Sequence, residues 1–199
     1  MFGTATAWRR RRRRAVQQLC VSLTKSPHGY HSGSKNEANL LMNGFSVSGW
    51  KCASGFSGTA IASVCSGTGR IYTLSGCRSC DSGKYADVAK LTSCKQCNKG
   101  QYADNSGAQT CKKCAAGRAS TQASAVSVAT CVKCAVGKAS NQQAQTSCSK
   151  CVAGTFNNVQ GSLSCSTCGV GKYTDQEERT TCKKCPASRY NAKDASNVS

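Results

Sequence analysis

The chain has 199 residues, 17 of them cysteine, with 6% aromatic residues and a formal net charge of +19 at pH 7; its mean hydropathy is −0.41. So few bulky apolar side chains exclude an ordinary hydrophobic core as the main source of stability, because burial could not offset the entropy of ordering the chain. Covalent bonds or metal must hold it, and cysteine at this density points either to a disulfide scaffold of an oxidising compartment or to metal-tethered modules of a reducing one.

Residues 1–19 read as a basic, disordered tail, in which Trp8 is followed by six arginines from Arg9 to Arg14. The stretch after them is too short and too polar for the apolar segment of a signal peptide. The expectation is therefore a fragment of a longer secreted or membrane-anchored protein. The arginine run admits two readings, a solvated tail and a nuclear-localisation or nucleic-acid tract. Nowhere does an apolar run reach the ~18 residues of a membrane span, so any membrane attachment needs a segment absent from this chain.

Residues 20–77 form a second region. Trp50 and Cys52, then Gly55 and Phe56, Cys65, Gly69 and Tyr72 lead to Cys77. This run resembles the second half of a complement-control (sushi) module. The resemblance implies pairing of Cys20 with Cys65 and Cys52 with Cys77, with Trp50, Phe56 and Tyr72 as apolar filling. A competing connectivity stays open, in which Cys65 and Cys77 close a short extra repeat and Cys20 and Cys52 pair or remain free. His28 and His31, in a Pro-His-Gly-Tyr-His stretch, read as surface residues.

Residues 77–199 carry the dominant signal. Seven Cys-x-x-Cys pairs stand at Cys77/Cys80, Cys94/Cys97, Cys111/Cys114, Cys131/Cys134, Cys148/Cys151, Cys165/Cys168 and Cys182/Cys185, stepping by 17 residues with one step of 20. A fixed short period marks a repeat architecture. Every linker has glycine three residues after its first cysteine (Gly83, Gly100, Gly117, Gly137, Gly154, Gly171) and Ser or Thr just before its last. A zinc array would join two Cys-x-x-Cys pairs per site and show a doubled period; here one template serves every linker. The favoured reading is one crosslink per unit: Cys80 with Cys94, Cys97 with Cys111, Cys114 with Cys131, Cys134 with Cys148, Cys151 with Cys165 and Cys168 with Cys182. Each Cys-x-x-Cys is then a seam between units, each glycine the turn that returns the chain, and Cys185 the odd cysteine left over. Zinc tetrads remain the alternative, ahead of thioredoxin-like redox pairs and metallothionein-like clusters.

The pattern Cys-x-x-Cys-x-x-Gly-x-Tyr/Phe, with a polar linker ending in Ser/Thr-Cys-x-x-Cys, resembles the ephrin-receptor-like cysteine-rich repeat, a relative of tumour necrosis factor receptor and growth-factor-receptor modules. Matching pairs are Gly83 with Tyr85, Gly100 with Tyr102, Gly154 with Phe156 and Gly171 with Tyr173, and the last unit keeps Pro186 and Tyr190. The resemblance implies an aromatic ring leaning on each disulfide as the core of its unit. Ala119 and Ala139 replace two of those rings, so their units are expected to be the loosest.

The fold class expected is thus small, disulfide-rich and β-poor: an elongated rod of tandem ~17-residue single-disulfide repeats made of short strands and turns. No apolar period of a helix persists, and residues 122–130 alternate in a way that predicts an extended hairpin. Residues 1–76 hold ten Lys/Arg against Glu37, and residues 77–185 hold fifteen against six acids. The seam lysines (Lys95, Lys112, Lys113, Lys133, Lys150, Lys183, Lys184) therefore recur along the repeats, where they either solubilise or attract an acidic protein or polysaccharide. Asp87, Asp104 and Asp175, two residues after the aromatic position, suggest turn hydrogen bonds. No catalytic, metal or cofactor site and no small-molecule substrate is expected. The favoured function is an extracellular spacer, adhesion or ligand-binding segment; the alternative is an intracellular zinc-module protein binding nucleic acid.

Overall fold

The computed structural model describes residues 17–186. The arginine run and Tyr190 lie outside the described residues. Among those described there is no α-helix, one three-residue 3-10 turn at Val128–Thr130, and a series of two-stranded antiparallel sheets. The chain divides into two compact units, one of residues 17–26, 32–50 and 61–75, the other of residues 27–31, 51–60 and 76–186.

In the first unit, Asn36–Asn39 pairs with Ser46–Ser48, and single bridges join Leu19 to Leu41 and Val21 to Ile71. The Cys20–Cys65 disulfide, Trp50 and Tyr72 are buried at its centre. Phe45 tilts against Tyr72 at 5.7 Å between ring centroids, and Trp50 meets Tyr72 edge-on at 6.5 Å. Phe56, expected in this cluster, lies elsewhere. It takes an edge contact with His28 at 5.0 Å in the second unit, because its strand, Phe56–Ser63, begins there before pairing with Thr73–Ser79.

The second unit is built from a repeated hairpin. Its strands are two residues each: Lys84–Tyr85 with Lys95–Gln96, Gln101–Tyr102 with Lys112–Lys113, Arg118–Ala119 with Val132–Lys133, Lys138–Ala139 with Ser149–Lys150, Thr155–Phe156 with Ser166–Thr167, and Lys172–Tyr173 with Lys183–Lys184. An isolated two-stranded ribbon of this length is not stable in water. What secures it is the next repeat. Between the repeats opening at Cys114 and Cys134 run four backbone hydrogen bonds: Gly117 N–H to Ser140 O at 2.7 Å, Ser120 N–H to Gln145 O at 3.0 Å, Cys134 N–H to Gly117 O at 2.9 Å, and Ala144 N–H to Cys114 O at 2.9 Å. The equivalent four join the repeats opening at Cys80 and Cys97, Cys97 and Cys114, Cys134 and Cys151, and Cys151 and Cys168. Cys52 opens a unit of the same kind, since Gly55 exchanges the same bonds with Cys80 and Ala86.

These bonds place the core. The opening cysteines Cys80, Cys97, Cys114, Cys134, Cys151 and Cys168 are buried, as is the sixth residue after each: Ala86, Ala103, Ser120, Ser140, Asn157 and Thr174. That residue is small because the backbone on both sides of it is shared with a neighbour. Where it is polar and larger, its side chain is bonded: Asn157 donates to Lys138 O and Val159 O, and Thr174 Oγ1 accepts from Gly154 N–H. Tyr85, Tyr102, Phe156 and Tyr173 are only half-buried. The expectation of an aromatic core in each unit is therefore corrected, for the space beside the opening cysteine is filled by the following repeat.

The same packing explains two departures from the template. The repeats with Ala119 and Ala139 keep all four bonds to their successors, since the missing rings were not what joined them. The three extra residues before Cys131 fall beyond the bonded positions, where Ser127 caps the Val128–Thr130 turn through its Oγ to Ala129 N–H. Residues 122–130 therefore form no extended hairpin.

Gly117 sits at φ 78°, and a Cβ there would overlap the carbonyl oxygen of Gly161, two repeats on. Gly117→Ala should destabilise the repeats by about 2–4 kcal/mol, combining left-handed backbone with that clash. Gly161→Ala, at a position where Ser124, Ala144 and Glu178 already adopt positive φ and a Cβ meets only ordinary contacts, should cost about 1–2 kcal/mol, from the left-handed backbone alone. Hydrogen exchange at the Cys134 amide of the oxidised protein reads the difference.

Candidate ligand-binding surface

The residues singled out in the sequence come together as a scaffold. The sulfur pairs in the second unit are Cys80–Cys94, Cys97–Cys111, Cys114–Cys131, Cys134–Cys148, Cys151–Cys165 and Cys168–Cys182, with Cys52–Cys77 before them. Cys185, half-buried, is the one free cysteine among the described residues. Gly83, Gly100, Gly117, Gly137, Gly154 and Gly171 all have φ between 75° and 80°. The scaffold leaves two hairpin faces to carry chemistry.

One face bears the aromatic position and the first seam residue, which stand directly opposite each other: Tyr85 with Lys95, Tyr102 with Lys112, and Tyr173 with Lys183. Lys95 and Lys112 lie 5.9 and 6.0 Å from the ring centroids of Tyr85 and Tyr102, and salt-bridge Asp87 at 2.9 Å and Asp104 at 2.7 Å. Lys183 and Asp175 repeat the pairing at 3.5 Å. The hydrogen bonds from their lysines hold Asp87 and Asp104 below the usual carboxylate range. Beyond their turns, these aspartates answer the cations on this face.

The other face bears the residue before the aromatic position and the second seam residue. Here cations stand opposite cations: Arg118 opposite Lys133, Lys138 opposite Lys150, and Lys172 opposite Lys184. Like charges in direct cross-strand register cost stability. The Lys138/Lys150 pair is answered by Glu178, at 3.7 Å from Lys138 and 2.8 Å from Lys150, with Glu177 at 3.6 Å from Lys150. The hydrogen bond from Lys150 lowers the Glu178 pKa. A further crowding of cations joins Lys51 and Lys90, where the close approach of the Lys90 amine and its charge pull the Lys51 pKa down. Sequence reading counted the seam lysines but not this division, because only the register tells which face each one takes.

The model of the family described as tyrosine-protein kinase ephrin type A/B receptor-like matches residues 83–131, 137–178 and 154–198, together more than half of the chain. The chain belongs to this family. No curated protein matches it. In the ephrin-receptor-like repeats with Ala119 and Ala139, hollows of about 510 and 450 Å³ open between consecutive repeats, the first walled by Ala119, Val132, Lys138 and Thr146 and the second by Ala139, Gln145 and Leu163. Both are open, the first with more apolar than polar lining and the second the reverse. No helix among the described residues is long and apolar enough to cross a membrane, and no cluster of metal-ligating side chains occurs among them.

Upstream of the ephrin-receptor-like repeats, one polar cluster was not legible in the sequence. Trp50 Nε1 donates to Tyr72 Oη at 2.8 Å, Tyr72 Oη to Glu37 at 2.9 Å, and Ser22 Oγ to both Glu37 oxygens, while Lys35 reaches Ser22, Leu23 O and Glu37. Burial alone would raise the Glu37 pKa, but the hydrogen bonds from Ser22, Tyr72 and Lys35 outweigh it and the net shift is downward. Burial and the Glu37 bond push Tyr72 up to about 12. Every group in the cluster has a partner, so its role is to fix the first unit around its disulfide.

The sign of the Glu37 shift sets an acid limit. A carboxyl lowered on folding stabilises fully above its unfolded value near 4.5 and loses that contribution as pH falls through its folded value. Acid titration followed by Trp50 fluorescence should show this loss, and Glu37→Gln should flatten it. For Tyr72 the contribution holds below 10 and fades toward 12, so its phenolate absorbance should rise only near the upper value.

Proposed function

We propose that this chain is an extracellular or cell-surface cysteine-rich segment that spaces other domains and offers exposed side chains of adjacent repeats to a protein or acidic polysaccharide ligand. The observation that carries the reading is the uniform sulfur pairing, one bond per repeat through the family match, since disulfides of this kind persist outside the reducing cytosol. Membership of a receptor-type repeat family and the Arg118/Lys133 pair, which has no carboxylate partner among the described residues, favour binding over catalysis. Within this proposal residues 1–19 are a basic tail, residues 20–77 a small disulfide-linked module, and residues 77–199 the repeats. The zinc and nucleic-acid alternative requires thiolates, and sixteen sulfurs engaged in eight bonds speak against it.

Mass spectrometry of protein isolated from its native source, with alkylation before and after reduction, tests this. The expected result is protection of the sixteen paired cysteines, with disulfide-linked peptides joining Cys97 to Cys111 and its equivalents. Complete alkylation without reductant, together with bound zinc, would overturn it.

A further inference from the structure

The basic face of the hairpins contains its own template for a ligand. The Lys138/Lys150 pair belongs to the repeat opening at Cys134, and the carboxylate that answers it, Glu178, is the tenth residue after the opening cysteine of the repeat two further on. The same geometry recurs one step earlier. The Arg118/Lys133 pair belongs to the Cys114 repeat, and the corresponding residue of the repeat two further on is Gly161. The positions correspond closely. A Cβ on Gly117 would overlap Gly161 O just as one on Gly137 would overlap Glu178 O, and a Cβ on Gly161 would stand 3.5 Å from both Cγ and Cδ of Lys133. Where the later pair finds a carboxylate, the earlier one finds a glycine. Arg118 spends one N–H on Cys131 O at 2.9 Å, and among the described residues neither Arg118 nor Lys133 has an ion-pair partner.

We infer that Arg118, Lys133 and the Gly161 turn form an anion subsite in which an acidic group of a sulfated polysaccharide takes the place that the Glu178 carboxylate fills one repeat later. The pair is costly unanswered, and the glycine leaves open the space that a side chain occupies at Glu178. The two preceding repeats extend the site. Lys113 of the Cys97 repeat and Lys84 of the Cys80 repeat hold places on the same hairpin face, and the corresponding residues two repeats on are Ala144 and Ser124. Three consecutive repeats thus present cations opposite uncharged turns, a spacing that suits a linear polyanion. An acidic protein surface would want an apolar anchor at its centre, and Gly161, Lys133 and Arg118 supply none. The inference rests on the extracellular reading proposed above.

Titration of the oxidised, 15N-labelled full chain with a heparin-derived hexasaccharide tests it. Amide shifts are expected at Arg118, Lys133 and Gly161. Gly161→Glu installs the carboxylate in cis and should weaken binding read at these amides by about fivefold, the order of one exposed ion pair. Gly161→Gln, of equal size without charge, should stay within about twofold. Ser124, Ala144 and Glu178 already carry side chains at this turn, and the double variant Arg118→Gln/Lys133→Gln should reproduce the loss without touching it. Equal effects of Glu and Gln, shifts confined to other residues, or hexaglutamate binding as tightly as the hexasaccharide would each overturn the inference. Disulfide mapping of protein from its native source separates the outcomes: intact bonds there with no Glu/Gln difference in the titration reject this subsite alone, whereas free thiols reject the extracellular reading beneath it.

Discussion

The second unit depends on one exchange of backbone hydrogen bonds. At Gly83, Gly100, Gly117, Gly137 and Gly154 the chain turns so that both N–H and C=O face the next repeat, and both are taken there. A two-residue strand pair offers too few internal bonds to survive alone, and a backbone polar group left dry and unpaired would cost as much as a lost hydrogen bond. Each hairpin is therefore completed only by its successor. The disulfide closes the loop within a repeat, while the glycine hands stability to the next.

That arrangement explains what the side chains are free to do. With opening cysteines and small sixth residues filling the interior, the aromatic positions are released to the surface, where a lysine and an aspartate gather on Tyr85 and Tyr102. Alanine at 119 and 139 leaves the backbone exchange intact, and a hollow stands beside each. Insertion of three residues before Cys131 is absorbed the same way, outside the bonded positions. Stability additive between neighbours tolerates such local variation, and charge on the outer faces can change from repeat to repeat without reference to the fold.

The first unit uses a different device. A single disulfide, two aromatic contacts, one tilted and one edge-on, and the chain from Trp50 through Tyr72 to Glu37 organise a region with little regular strand. A buried polar network rigidifies when every member is satisfied, and here each has its partner. Glu37 is the sole acidic residue of the first 76, and it sits where three donors converge.

The sequence alone determined the repeat, its disulfide-rich class, its family and the glycine turns, because cysteine and left-handed glycine are constraints of covalent chemistry and local backbone that show in a one-dimensional period. It could not determine what lies inside. Ala86, Ala103, Ser120, Ser140, Asn157 and Thr174 share no motif beyond modest size, and their burial follows only from the next repeat lying over them. Nor could it divide the lysines, since Lys112 and Lys113 are neighbours in the chain yet take opposite faces, Lys112 the one paired to aspartate and Lys113 the one that carries Arg118 and Lys133. The same holds for Phe56, which sequence proximity grouped with Trp50 and Tyr72 and packing gave to His28. Gly161 and Glu178 occupy equivalent turns, but only the contact two repeats back makes one a counter-ion and the other an opening. Contacts made across two repeats leave no local trace in the chain, so tertiary structure alone decided them.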